Sequence, residues 1–215
     1  MPLPSIAVVD YGAGNLRSVA KALARSGLDA RITNDPSDVR RSDAVALPGV
    51  GAFAEAAASL AAKGLDDAVR DSIEAGRPYL GLCLGLQLLF EESDEHGRTP
   101  GLGCLPGRVT RFPERDASGA RLRIPHIGWN QVRFTGRHPV TDGLPAEECF
   151  YFVHAYHALP AREADVVGRA DYGRLFAAAV ARDNLFAVQF HPEKSQTAGK
   201  RLLDSFAAWV TRCGR

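Results

Sequence analysis

One thiol in this chain sits in a setting suited to chemistry. Gly81–Gln87 reads GLCLGLQ, so Cys83 stands between the apolar run Pro78–Leu82 and the segment Leu84–Glu92, which looks helical. A residue between a buried strand and a helix must occupy a tight turn, and glycines at 81 and 85 let the two backbones approach closely. The positive end of the helix favours a thiolate there. The N–H of Leu84 can point at a developing oxyanion. Free cysteine is also among the most buried residue types, and a lone GxCxG leaves a packed thiol as the simpler reading.

A cysteine nucleophile needs a base, and the base needs an orienting group. Among six histidines, His191 has the best context, in Gln189-Phe190-His191-Pro192-Glu193. Pro192 biases His191 toward an extended backbone. In an extended segment residues two apart point the same way, so Glu193 can lie beside the imidazole. A carboxylate there holds one tautomer and stabilises an imidazolium. A third element is Pro48–Phe53 (PGVGAF), where glycines flanking Val50 let backbone N–H groups turn toward a ligand. Gly12-Ala13-Gly14 has the start of a dinucleotide fingerprint, but Arg17 stands where the third glycine is needed, so a nicotinamide cofactor is rejected.

These residues need elements to hold them. Ser5–Asp10, Ala44–Leu47 and Pro78–Leu82 are candidate buried strands. Asn15 caps a helix with apolar positions at Leu16, Val19, Ala20 and Leu23, and an alanine-rich helix runs from about Phe53 to Ala75. Strand–loop–helix repetition implies an α/β fold, a doubly wound and mostly parallel sheet with helices on both faces. In such sheets the chemistry sits after the carboxyl ends of the strands, where Cys83 and the PGVG loop both fall. Gly107–Pro113, Arg123–Phe134, Glu148–His154, Asp165–Arg169 and Phe176–Phe190 have β patterns, with a hairpin at Arg182-Asp183-Asn184. They form an antiparallel elaboration. Gln196–Arg212 is an amphipathic helix with Leu202, Leu203, Phe206, Trp209 and Val210 on one face. No linker or repeat interrupts the 215 residues, which read as a single domain, 1–215.

Composition narrows the classes. Apolar residues make up 46% and charged residues 24%, which supports a sizeable core. A formal net charge of +1 gives no electrostatic argument for nucleic acid or an anionic membrane. No secretory signal and no membrane-length apolar run is present. Cys104, Cys149 and Cys213 receive no role beyond packing, and no CxxC pair or zinc spacing occurs, so no metal and no cofactor is expected. Reduced thiols fit a cytoplasmic protein.

With GLCLGLQ, His191-Pro192-Glu193 and PGVG together, the chain resembles the class I (triad) glutamine amidotransferases, whose motifs are G-x-C-x-G-x-Q and H-P-E. Tyr11–Asn15 (YGAGN), Pro125–Asn130 (PHIGWN), Tyr151–His154 (YFVH) and His191–Gln196 (HPEKSQ) are similar to the branch that serves imidazole glycerol phosphate synthesis in the histidine pathway. The resemblance implies a Cys83-His191-Glu193 triad that hydrolyses L-glutamine through a glutamyl thioester. It places an oxyanion on the N–H groups of Leu84 and Val50, the latter after the PGVG strand rearranges. It implies glutamine binding by Gly49, Gly51, Gln87 and Tyr156. Ammonia then passes to a (β/α)8 cyclase subunit in a heterodimer, and Asn15, Arg123, Trp129, Tyr151 and Lys194 match positions that face that partner. One departure is Ala155, where the family commonly carries Ser or Thr after YFVH. A glutaminase serving another synthase, a different cysteine hydrolase and a non-catalytic α/β scaffold are the alternatives.

Overall fold

A computed structural model describes residues 2–213. Strand and helix alternate through β1 (Ser5–Val9), α1 (Leu16–Arg25), β2 (Asp29–Thr33), α2 (Pro36–Arg41), β3 (Ala44–Gly49), α3 (Phe53–Ala62), α4 (Leu65–Glu74), β4 (Tyr79–Cys83) and the single turn α5 (Leu84–Gln87). There follow β5 (Phe90–Ser93), β6 (Thr99–Pro100), β7 (Leu105–Arg111), β8 (His126–Phe134) and β9 (Glu147–His154). The last elements are β10 (Tyr156–Pro160), β11 (Val166–Asp171), β12 (Leu175–Arg182), β13 (Leu185–Val188) and α6 (Gln196–Cys213).

The main sheet has nine strands in the order β2-β1-β3-β4-β13-β12-β11-β8-β9. Neighbours from β2 to β13 pair in parallel, and those from β13 to β9 pair antiparallel. A smaller four-stranded sheet, β10-β7-β5-β6, shares no ladder with it but packs against it through Leu105, Val109 and Ala158. Period-two alternation divides each central strand between two cores. Ile6, Val8, Ala44, Ala46, Leu80, Leu82, Phe186 and Val188 join the core capped by α1 and α6. Ala7, Val9, Val45, Leu47, Tyr79, Leu185 and Ala187 join the core covered by α2, α3 and α4. Both faces of the parallel half are thus buried, as expected of a doubly wound α/β sheet. The five apolar residues expected on one face of α6 are all buried. No helix among the described residues is long and apolar enough to cross a membrane.

Several local expectations are corrected. The segment Phe53–Ala75 is two helices, because the chain turns at Gly64 in the left-handed region, φ 65°. Leu84–Glu92 keeps one helical turn and then becomes β5, paired in parallel with β7 through Phe90↔Leu105 and Glu92↔Arg108. Every residue from Leu84 to Phe90 is buried, so periodicity could not separate a helix from a buried strand there. Asn15 precedes α1 without a side-chain cap. Cys149 and Cys213 are exposed, so packing is not their role. The elements β2, α2, β6 and β10 had no counterpart in the sequence reading. β2 is a half-exposed edge strand, and α2 is a short helix capped by Asp35, whose carboxylate accepts the Ser37 N–H at 2.7 Å.

Candidate active site

Three adjacent parallel strands deliver the site. β3 ends at Gly49 opposite Cys83 at the end of β4, and β13 lies on the other side of β4 and leads into His191. At Cys83 the backbone takes φ 54° and ψ −105°, a region closed to most side chains and worth roughly 1–3 kcal/mol of strain. Close packing forces that turn. A Cβ at Gly85 would stand 1.8 Å from the Leu47 carbonyl oxygen, and one at Gly81 would stand 2.7 Å from the Gly85 oxygen. Tyr79 locks the turn from below by donating its hydroxyl to the Gly85 carbonyl at 2.8 Å. Cys83 is therefore buried, as cysteine usually is, and is also held in a strained conformation by the packing around it. With only four helical residues after it, macrodipole support is small, and the local contribution is the N–H of Leu84.

His191 donates from Nδ1 to Glu193 Oε1 at 2.9 Å, with both side chains almost wholly buried. That bond leaves Nε2 toward Cys83. The Nε2 falls short of a hydrogen bond to the sulfur but faces it closely enough for Cys83 to act on the ring. Burial by itself lowers the His191 pKa, yet Cys83 and Glu193 outweigh it and raise the value to about 9. The motif's backbone is pinned from β9: His191 N–H donates to the Tyr151 carbonyl at 2.9 Å, and Tyr151 N–H donates to Ser195 Oγ at 2.9 Å. Ser195 Oγ in turn donates to the His191 carbonyl at 2.7 Å.

A cavity of about 400 Å³ opens at the sulfur. Among its walls are Val50, Gly51, Cys83, Leu84, Gln87, Tyr156 and Lys194, all singled out from the sequence. Gly49 lies behind the cavity, where a Cβ would meet the Tyr11 hydroxyl at 2.6 Å and Leu84 Cβ at 2.7 Å. Gly51, at φ 98°, turns the loop. Trp129, Tyr151 and Lys194 form one surface cluster, with the two rings edge to face at 6.2 Å and the Lys194 ammonium 5.9 Å from the Tyr151 centroid. Asn15 and Arg123 are exposed, and neither bonds to that cluster.

The sequence reading missed Glu95, Gln189 and the ring of His154. Glu95 lines the cavity as its one carboxylate and accepts the Phe53 N–H at 2.7 Å. Gln189 donates from Nε2 to Cys83 Sγ at 3.6 Å. His154 also lines the cavity. Gln189 lies two residues before His191, so its place in the QFHPE run was an available signal; an acidic turn gave none for Glu95. No group of side chains suited to hold a metal occurs among the described residues.

Solved structures share this fold. One described as a crystal structure of glutamine amidotransferase aligns with TM-score 0.73 and 24% identity, over 95% of this chain and 98% of the other. The structure of PurLQS from Thermotoga maritima aligns with TM-score 0.73 and 20% identity, over 97% and 99% of the two chains. The family model for glutamine amidotransferase class-I matches residues 7–209, and the chain belongs to that family. Within it, the chain falls among the HisH subunits of imidazole glycerol phosphate synthase. The subunit from Methylococcus capsulatus is 53% identical, covering 96% of this chain and 97% of its own. That from Syntrophotalea carbinolica is 50% identical, covering 94% and 98%. That from Moorella thermoacetica is 49% identical, covering 97% of each.

Proposed function

We propose that residues 1–215 act as a single glutaminase domain that hydrolyses L-glutamine at Cys83. The observation that carries this reading is a strained cysteine in the wall of an open cavity, beside an imidazole whose far side is held by a buried carboxylate at 2.9 Å. Cys83 gives its thiol proton to His191 Nε2 as the sulfur attacks the side-chain carboxamide carbon, and the carbonyl electrons move onto oxygen. The Leu84 N–H stabilises that oxyanion, joined by the Val50 N–H once the loop turns it inward. His191 Nε2 passes a proton to the leaving nitrogen, the C–N bond breaks, and ammonia departs from a glutamyl thioester. Water, deprotonated by His191, then releases glutamate and restores the thiol. Glu193 keeps the proton on Nδ1 throughout.

Gly51, Gln87 and Tyr156 hold the substrate, with Gly49 shaping the loop behind them. Glu95 supplies the negative charge that suits an α-ammonium group. Ala155 has no hydroxyl to offer, and its carbonyl is already taken by the Phe112 N–H at 3.0 Å. The name borne by the HisH relatives supports a synthase partner, and a (β/α)8 cyclase subunit docks on the face carrying Trp129, Tyr151, Lys194, Asn15 and Arg123. Docking matters chemically because ammonia released into water is protonated and loses its nucleophilicity. Four unpaired cysteines support a cytoplasmic setting. The test is glutamate release by the wild type and by Cys83→Ala, with and without purified cyclase. Turnover that requires Cys83 and rises with the cyclase is expected. Equal turnover in Cys83→Ala sinks the triad, and equal turnover without the cyclase sinks the regulated loop.

A further inference from the structure

Two histidines outside the triad, His126 on β8 and His154 on β9, are buried together among aromatic rings. The His126 ring is stacked between Tyr172, at 4.0 Å, and Phe152, at 4.9 Å. Its Nδ1 lies 3.0 Å from His154 Nε2, and its Nε2 lies 3.3 Å from Asn130 Nδ2. His154 Nδ1 lies 2.8 Å from the Tyr156 carbonyl oxygen. The same carbonyl accepts Gln87 Nε2 at 2.9 Å, and Gln87 Nε2 also donates to Gln189 Oε1 at 3.0 Å. Gln189 Nε2 then reaches Cys83 Sγ at 3.6 Å. One continuous path therefore joins Asn130 to the nucleophile.

Backbone carbonyls fix its direction. The Tyr156 carbonyl can only accept, so His154 carries its proton on Nδ1, and Gln87 must turn its NH2 inward. A neutral His154 then accepts at Nε2, so His126 donates from Nδ1 and is left to accept at Nε2. Asn130 supplies that last donor, since its NH2 also reaches the Asp171 carbonyl at 2.8 Å while its oxygen accepts the Gln131 N–H at 2.8 Å. Both protons of the Gln87 amide are spent, so only its oxygen remains for the cavity it lines. Burial supports the neutral forms, lowering His126 to about 4 and His154 to about 3.

We propose that His126 and His154 are positioning residues for the glutaminase reaction: as a directional pair they hold Tyr156 and Gln87 so that an acceptor oxygen faces the substrate, and through Gln189 they set the donor on Cys83. The inference rests on the glutaminase reading and adds two residues that touch neither sulfur nor scissile bond. It accounts for why a buried histidine stands in the PHIGWN run and another in YFVH.

Two measurements test it. In the wild-type chain, nitrogen-15 spectra of the histidines at neutral pH show His126 and His154 uncharged and protonated at Nδ1; finding either ring charged or protonated at Nε2 overturns the pair. In the complex with the cyclase, His126→Phe keeps an aromatic ring but removes the donor to His154. It raises KM for glutamine about tenfold, the scale of one orphaned buried acceptor, with a smaller change in kcat. His154→Phe does the same and alters the rate of Cys83 alkylation by iodoacetamide, whereas His154→Gln, which can both accept and donate along the path, recovers most of the loss. Folded His126→Phe and His154→Phe proteins with wild-type KM and alkylation overturn the inference while leaving the glutaminase reading intact. A wild type that releases no glutamate overturns that reading itself.

Discussion

Gly85→Ala is a one-carbon change whose consequence can be worked from the elbow. The new Cβ would lie 1.8 Å from the Leu47 carbonyl oxygen and 2.9 Å from its carbon. Ordinary contact at about 3.4 Å requires β3 and α5 to separate by about 1.6 Å in a closely packed interior. Backbone meets backbone here, so no flexible side chain can absorb the shift. Overpacking of this kind costs about 3 kcal/mol, which for a chain of this size lowers Tm by about 6–12 °C. The larger effect falls on catalysis. β3 leads into the proposed Val50 donor while the Leu84 N–H stays bonded to Cys83, so the separation carries the Val50 N–H an ångström or more away from the sulfur and from the Leu84 N–H. A misplacement of that size costs about a hundredfold in kcat/KM. Thermal melts and a steady-state glutaminase assay with saturating cyclase measure both effects. A Gly85→Ala protein with wild-type Tm and wild-type kcat/KM would refute the steric argument for the elbow.

Three further outcomes are expected. His191 titrates above its ordinary value, so its contribution to stability is complete below pH 6.5 and is lost as pH rises through about 9; in melts from pH 6 to 10 the advantage of wild type over His191→Gln should shrink over that window, and an advantage that grows contradicts the assignment. Asp165→Ala removes the buried carboxylate that holds Arg182, whose Nε donates at 3.0 Å. Because the guanidinium is partly exposed the loss is about 2 kcal/mol, read as a Tm lower by about 4–8 °C, and a shift under 1 °C refutes it. Trp129→Ala removes a half-exposed ring that only edges Tyr151. Calorimetric titration with the cyclase should show binding about thirtyfold weaker, the scale of an aromatic anchor, while unchanged affinity moves the docking face elsewhere.

The legible parts of this chain were those where local pattern and global role coincide. β1, β3 and β4 are short apolar runs that end in glycine or cysteine turns, and their order alone implied parallel crossovers. GLCLGLQ and HPE carry their geometry in residues that are neighbours in sequence, so the turn at Cys83 and the contact of His191 with Glu193 could be read directly. The half-exposed β2 presents no clean alternation, and the unbroken apolar stretch after Cys83 has no period to read. Gly64 is a single residue inside a strong helical pattern. The path from Asn130 to Cys83 was out of reach for a different reason. Gln87 and Gln189 are 102 residues apart, and His126 and His154 are 28 apart. Only pairing of β8 with β9, and of β13 with β4, brings them together, and no window of sequence contains that information.

The tethering of the base has a mechanical consequence. Cys83 rides on β4, inside the parallel half of the sheet, with its turn bolted to β3 by close glycine packing. His191 leaves the last parallel strand but is tied to Tyr151 on β9, the far edge of the antiparallel half, by one main-chain bond and by the Ser195 hydroxyl. The proposed nucleophile and base are therefore held twice, by the β4–β13 ladder that joins their strands and by the β9 tether on His191. A shear that widened the sulfur-to-imidazole gap would have to strain that ladder and the Gln189 contact to Cys83, so the spacing on which the proposed proton transfer depends is set by the sheet itself.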